Sequence, residues 1–149
     1  MNTLENIENK IEILLIEDNP ADARLIVEVL DKLKAKIHLA RDGTEAMDYL
    51  NKKGKYKGSI CPSIIILDLN LPKKDGREIL KEIKQNEKLK KVPVIILTTS
   101  RDYNDIKSSY CNYASAYLTK PTDLNEFMGL IESFENFWFK WATLPESID

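Results

Sequence analysis

The sequence has one histidine, two cysteines and five glycines in 149 residues, and each scarcity removes a class of chemistry. His38 sits in the alternating stretch KIHLA, which suits a satisfied strand residue. With no nucleophile–histidine pair, the Ser- and Cys-His hydrolases are excluded. Cys61 and Cys111 form no CxxC pair. Structural zinc needs more ligands at closer spacing, so buried or half-buried thiols are expected in a reducing compartment. The glycines form neither GxGxxG nor a P-loop, which argues against nucleotide binding in those modes. Charge of one sign is lacking too: 22 Lys+Arg stand against 24 Asp+Glu, which gives no reason to expect a nucleic-acid or membrane partner. No apolar run approaches the ~18 residues of a membrane span. The start, MNTLENIENK, is polar and acidic rather than signal-like, so a cytoplasmic location is expected.

What is present is a set of short apolar runs separated by helical patterns. The runs are IEILLIED (11–18), KIHLA (36–40), SIIILD (63–68), VPVIILTT (92–99) and ASAYLTK (114–120). Between the first two, Asn19 is a plausible N-cap with Pro20 at the first helical position, and Leu25, Val29 and Leu33 recur at helical spacing. Residues 43–53, closed by Gly54, DGREILKEIK, SRDYNDIKSSYCNY and 123 to about 141 supply four more helices. The order βαβαβαβαβα, with near-continuous apolar strands, predicts an open doubly wound parallel α/β sheet. Nothing divides the chain, so one domain is expected from about 10 to 144.

In such sheets function gathers beyond the carboxyl ends of the strands. Those ends carry Glu17-Asp18, Asp68 with Asn70 two residues on, Thr98-Thr99-Ser100, and Lys120-Pro121. An apolar run that ends in a carboxylate, as IIILD does at Asp68, needs either the surface or a cation beside it. Three clustered carboxylates repel unless a cation joins them, and Mg²⁺ suits oxygen ligands from carboxylates, a backbone carbonyl and water. Such an ion would clamp a phosphoryl group, with Lys120 and a Thr98 hydroxyl on its other oxygens. Asp68 could then attack phosphorus as a carboxylate nucleophile.

LLIEDNPAD, RDGTEAMDYL, IIILDLNLPKKDG, VPVIILTTS and AYLTKP, in this order, resemble the receiver domains of two-component response regulators. Thr98 follows Asp68 by 30 residues and Lys120 follows Thr98 by 22, as in compact members. The resemblance covers nearly the whole sequence. It implies a flavodoxin-like five-stranded sheet of order 2-1-3-4-5 with five helices; the same order is a known doubly wound arrangement of this family. It implies Asp68 as phosphoacceptor and Mg²⁺ ligand, Asp18 as a direct Mg²⁺ ligand with Glu17 assisting, often through water, the Asn70 backbone carbonyl on the same ion, Thr98 and Lys120 on the phosphoryl group, and a cis bond before Pro121. Many members have Asp where this chain has Glu17. Tyr117 matches the aromatic switch, and Asn70 and Ser100 match positions that tune acyl-phosphate hydrolysis. NPADARLI, RDG and LDLNLPKKDGRE look nearest to the small stand-alone regulators partnered with phytochrome-type histidine kinases.

Such a protein takes a phosphoryl group from a partner and hydrolyses it slowly, and is not otherwise an enzyme. Only TLPESID follows the last helix, so no effector domain is expected and output passes through protein contacts. Two rivals stay open. A Mg²⁺-dependent phosphohydrolase would want a second acid two residues after Asp68, where this chain has Asn70. A phosphate-independent adaptor on the same fold would usually have lost Asp68, an acid-pair member or Lys120.

All four phenylalanines and both tryptophans lie in the final helical stretch. On a 3.6-residue wheel Leu124, Phe127, Ile131, Phe134 and Trp138 form the face that can cover the sheet. Leu130, Phe137 and Trp141 fall to one side of it, and Met128 and Phe139 to the other. That arc exceeds the ~100° a surface helix needs, so it is either a thick core with exposed aromatics or an interface, for a second copy or for the kinase. The resemblance to the phytochrome-partnered subgroup implies a homodimer, through Leu130, Phe137 and Trp141.

Overall fold

The computed structural model describes residues 11–31 and 35–145. Five parallel strands, β1 (Ile11–Ile16), β2 (Ala35–Ala40), β3 (Ile64–Leu67), β4 (Val94–Thr98) and β5 (Ala116–Thr119), form one sheet of order β2-β1-β3-β4-β5. Helices α1 (Pro20–Asp31), α2 (Gly43–Leu50), α3 (Gly76–Gln85), α4 (Tyr103–Cys111) and α5 (Leu124–Glu135) alternate with the strands. This is the flavodoxin-like arrangement expected from the sequence.

The strand runs are unbroken because both faces of the sheet are covered. Ile13 and Leu15 of β1, Ile64 and Ile66 of β3, and Ile95 and Leu97 of β4 pack with residues of α1 and α5. Their chain neighbours Leu14, Ile16, Ile65, Leu67, Val94 and Ile96 pack with α2 and α3 on the other side. Each such side chain gains roughly 1.5–3 kcal/mol from burial, so a polar residue is tolerated only where a strand runs out. Leu33, assigned to the α1 face by its spacing, lies outside the described residues.

Helix starts follow the expected chemistry. Asn19 caps α1, its Oδ1 accepting from the Asp22 N–H at 3.0 Å. Asp42, Asp102 and Asp123 cap α2, α4 and α5 in the same way. Such caps contribute about 1 kcal/mol each. The end of α2 differs from expectation. Its C-cap is Asn51, whose N–H bonds back to the Met47 carbonyl at 2.9 Å. Gly54, at φ +57°, instead opens a separate 3₁₀ turn, Gly54–Tyr56, where its missing Cβ permits a left-handed backbone.

The last helix departs more from the wheel. Phe127, Ile131 and Phe134 are buried as expected, but Leu124 is 62% exposed. It follows the cap Asp123 directly, a turn ahead of Phe127, the first buried residue of α5. After Glu135 the chain becomes π-helical over Asn136–Trp141, and the Ala142 N–H bonds to the Phe137 carbonyl, five residues back, at 2.7 Å. This widened turn changes which residues share a face. Phe139 meets Phe134 edge-to-face at 6.3 Å and, with Trp138, packs against the α1–α5 core.

Candidate functional site

The site is built where β1, β3, β4 and β5 end. The Glu17 N–H bonds to the Ala40 carbonyl at 3.0 Å, and the Asp68 N–H to the Ile16 carbonyl at 3.0 Å. Strand pairing thus continues one residue past β1 and β3 and sets the two carboxylates side by side. Lys120 is fixed the same way, its N–H bonding to the Thr98 carbonyl at 2.8 Å. Its Nζ lies 2.7 Å from Glu17 Oε1, 2.9 Å from Asp22 Oδ2 and 3.1 Å from Asp68 Oδ2. Glu17 is 1% exposed, and Asp68 and Lys120 are also buried. The carboxylate that ends the apolar run IIIL is tolerated because an ammonium stands against it.

The Lys120 ammonium is held in its charged form, its burial outweighed by Glu17, Asp68 and Asp22. Burial pushes Glu17 up to about 7, with Asp68 adding to the rise and Lys120 opposing it. The ordinary value is 4.5, so between 4.5 and about 7 the native state holds more protons than the unfolded chain. Glu17 therefore lowers stability as pH rises through that window. With a chelator present, the urea midpoint is expected to fall across this interval, and Glu17→Gln to flatten the fall. An unchanged slope in the variant would assign the pH dependence to other groups.

One oxygen from each of Glu17, Asp18 and Asp68 lies within 4.8 Å of the others, and Asp18 is exposed at the rim. Three hard oxygen donors at this spacing fit a divalent ion. Such an ion competes with Lys120 for Glu17 and Asp68.

The remaining residues surround this cluster. The exposed Asn70 donates its backbone N–H to Asp68 Oδ1 at 3.2 Å. Thr98 is wholly buried, and its Oγ1 accepts from the Ser100 N–H at 3.4 Å. The Tyr117 hydroxyl donates to the Ser100 carbonyl at 2.9 Å, with the ring half-buried against the α2–α3 core. The Lys120–Pro121 peptide is trans, contrary to the expected cis bond; the trans form is favoured by about 0.5–1 kcal/mol for an X–Pro bond. Below Asp68, Gly76 packs so closely that a Cβ would lie 2.3 Å from the Asp68 carbonyl oxygen.

Sequence reasoning missed two contributors. Asp22 looked like an ordinary acidic residue in a first helical turn, where the dipole favours it anyway. Arg77 and Asp105 are joined by a two-pronged ion pair between α3 and α4 that no local pattern announces. Leu130, Phe137 and Trp141 lie far along α5 and its extension and are not brought to the site. Phe137 is 54% and Trp141 71% exposed, while Leu130 is half-buried on the core. His38 is not the satisfied residue expected. It stacks on Tyr49 at 4.0 Å, but its buried Nε2 has no hydrogen-bond partner among the described residues, and burial lowers its pKa. Cys61 is half-buried, but Cys111 is exposed, because it ends α4 at the surface.

Acidic residues, a buried threonine and a lysine at the carboxyl rim of a 2-1-3-4-5 sheet define a receiver domain, and the chain belongs to the response regulator receiver domain family, whose model matches residues 13–132. Receiver domains are generally not catalytic enzymes. In particular, the chain is 47% identical over 135 residues to response regulator Rcp1 of Synechocystis sp., covering 89% of this chain and 92% of Rcp1. The crystal structure of the Mn(2+)-bound form of Rcp1 superposes with a TM-score of 0.89 at 46% identity, over 91% of this chain and 99% of that one. The phosphorylated cyanobacterial phytochrome response regulator RcpA gives 0.89 at 45% identity, over 92% and 99%. The expected family and fold are borne out. Among the described residues, no helix is long and apolar enough to cross a membrane.

Proposed function

We propose that this chain is a single receiver domain, spanning about 10–144, that accepts a phosphoryl group on Asp68 from a partner histidine kinase and signals through altered protein contacts. The observation that carries the reading is the buried Asp68 carboxylate held by Lys120 beside Glu17 and Asp18. A carboxylate oxygen of Asp68 forms a bond to phosphorus as the phosphorus–nitrogen bond to the donor imidazole breaks, and the imidazole regains a proton. Lys120 turns its ammonium from the free carboxylate to the transferred group, and the Thr98 hydroxyl donates to a phosphoryl oxygen. Glu17, Asp18, Asp68 and the Asn70 carbonyl would hold Mg²⁺, which would neutralise charge on the phosphoryl group. Asn70 and Ser100 tune the water-driven loss of the group. With Asn70 in place of a second acid, this loss is slow and the chain is not a phosphohydrolase. Tyr117, tied to the loop that follows Thr98, carries the change outward.

A phytochrome-type kinase is the proposed donor class, supported by the similarity to RcpA. We read the chain as a cytoplasmic protein, and its near-balanced charge gives no electrostatic draw toward nucleic acid or an anionic membrane. Intact-mass spectrometry after acetyl phosphate and Mg²⁺ tests the chemistry. One phosphoryl adduct is expected, lost with a chelator and lost in Asp68→Asn; an adduct that persists in the variant would move the site elsewhere.

The aromatic end of the chain supports a homodimer. Phe137 and Trp141 expose most of their rings, and Phe137 stacks edge-on against Trp138 at 5.0 Å. Rigid aromatic anchors on a packed base are what interfaces favour. Replacing Phe137 and Trp141 with serine is expected to give a monomer by sedimentation. A wild-type protein that is already monomeric at tens of micromolar would rule out this face.

A further inference from the structure

Arg77 lies outside the acid cluster but ties the segment that follows Asp68 to helix α4. Its Nη1 reaches the Leu69 carbonyl at 3.5 Å and Asp75 Oδ1 at 2.8 Å, in the segment that follows Asp68. Its Nε and Nη2 grip Asp105 of α4 at 2.7 and 2.8 Å. Asp105 Oδ2 in turn accepts from Ser100 Oγ at 2.6 Å, and the Ser100 carbonyl accepts from the Tyr117 hydroxyl. An exposed ion pair alone would contribute little. Here the Asp105 carboxylate is mostly buried, the guanidinium is two-pronged, and the same carboxylate continues into Ser100.

We propose that Arg77 is a positioning residue of the switch: through Asp105 it fixes Ser100, and the Ser100 carbonyl then holds the Tyr117 hydroxyl. This rests on the reading of Asp68 as phosphoacceptor and Tyr117 as switch. Its physical content is a four-residue chain of charge-assisted and neutral hydrogen bonds from the Asp68 loop to Tyr117. Ser100 also donates its N–H to Thr98 Oγ1, so any displacement of Thr98 is felt by Ser100. Arg77 and Asp105 set the position from which Ser100 is pulled. Consistent with a fixed carboxylate, Asp105 is held down to about 2, first by the Arg77 hydrogen bond and then by Ser100.

The test uses the full chain labelled with 3-fluorotyrosine, the Tyr117 resonance being assigned with Tyr117→Phe. Asp105→Asn is expected to move that resonance toward the values of exposed tyrosines. Losing a charge-assisted bond that holds one of two states is also expected to change the acetyl phosphate adduct rate about threefold or more. Ser100→Ala breaks the same chain without touching the ion pair and is expected to have a similar effect. Adding Asp105→Asn to it is expected to change nothing further, because the link is already cut. Arg77→Lys, which keeps the charge but not the two prongs, is expected to fall between wild type and Arg77→Gln. An unmoved Tyr117 resonance in Asp105→Asn, or fully additive effects, would overturn the proposal. If wild type forms no adduct, the reading of Asp68 fails, while the Tyr117 resonance still decides the role of Arg77.

Discussion

Replacing Lys120 with methionine is expected to cost the metal-free protein about 3–5 kcal/mol, because one side of a buried charge cluster is removed and the other is left. Glu17, Asp22 and Asp68 share this ammonium, and two of the three are buried. Methionine fills the space of the stem, so the loss reads the charge rather than a cavity. The cluster has two ways to recover. Proton uptake by Glu17, already raised by burial, should shrink the loss at about pH 5.5 relative to about pH 8. A divalent cation should shrink it too, because it replaces the missing positive charge and binds only the folded state. Urea unfolding at both pH values, with chelator and with Mg²⁺, distinguishes these routes. Adduct formation is expected to be lost throughout, since the ammonium proposed to pair with the phosphoryl group is gone. An equal stability loss in all conditions would mean that Lys120 acts through packing alone.

Gly76→Ala is the second large effect, and its sign is contrary to helix propensity. Within a helix, alanine ordinarily stabilises by roughly 0.5–1 kcal/mol over glycine. At Gly76 the added Cβ would lie 2.3 Å from the Asp68 carbonyl oxygen and 2.6 Å from Leu69 Cα. Both are backbone atoms, so α3 must move off β3. We expect a loss of about 2–4 kcal/mol, in the range of overpacked cores and strained backbones. The backbone displaced carries Asp68, so the adduct rate should fall with the melting temperature. Gly129→Ala is the internal contrast. It sits in α5 with nothing within 4 Å of the added carbon, and should raise the melting temperature. Similar melting temperatures for both variants would show that α3 can shift freely.

Most of the sheet was legible because the central strands β1, β3 and β4 are largely buried on both faces, which leaves runs of Ile, Leu and Val that end abruptly, while the edge strands β2 and β5 are only partly buried. The abrupt ends are informative in themselves: Glu17, Asp68 and Thr98 are the first polar side chains after those runs, Lys120 directly follows the last residue of β5, and parallel topology sends all of them to one rim. Asp22 was not legible, since its contact with Lys120 depends on how α1 leans over the rim. The Arg77–Asp105–Ser100 link was hidden for the same reason, being made between turns on different elements. The wheel for the last helix placed Phe127, Ile131, Phe134 and Trp138 on the core correctly but set Phe139 to one side, because it assumed 3.6 residues per turn where the backbone widens at Asn136. A wheel also cannot tell that Leu124, although in phase with Phe127, lies a turn ahead of the first buried residue.

Lys120 meets Asp68 across 52 residues of chain and Asp22 across 98. The segment 17–22 supplies three of the carboxylates, but no single segment brings Lys120 to them, and the two acids of the site's floor come from neighbouring central strands. Loop closure of this length is late and entropically costly. A nascent, partly unfolded or clipped chain therefore cannot compete for a donor's phosphoryl group, however many receiver-like motifs it displays. On the proposed reading, responsiveness requires β5 to be docked beside β4, so the molecules able to accept a phosphoryl group are those in which the whole sheet is formed.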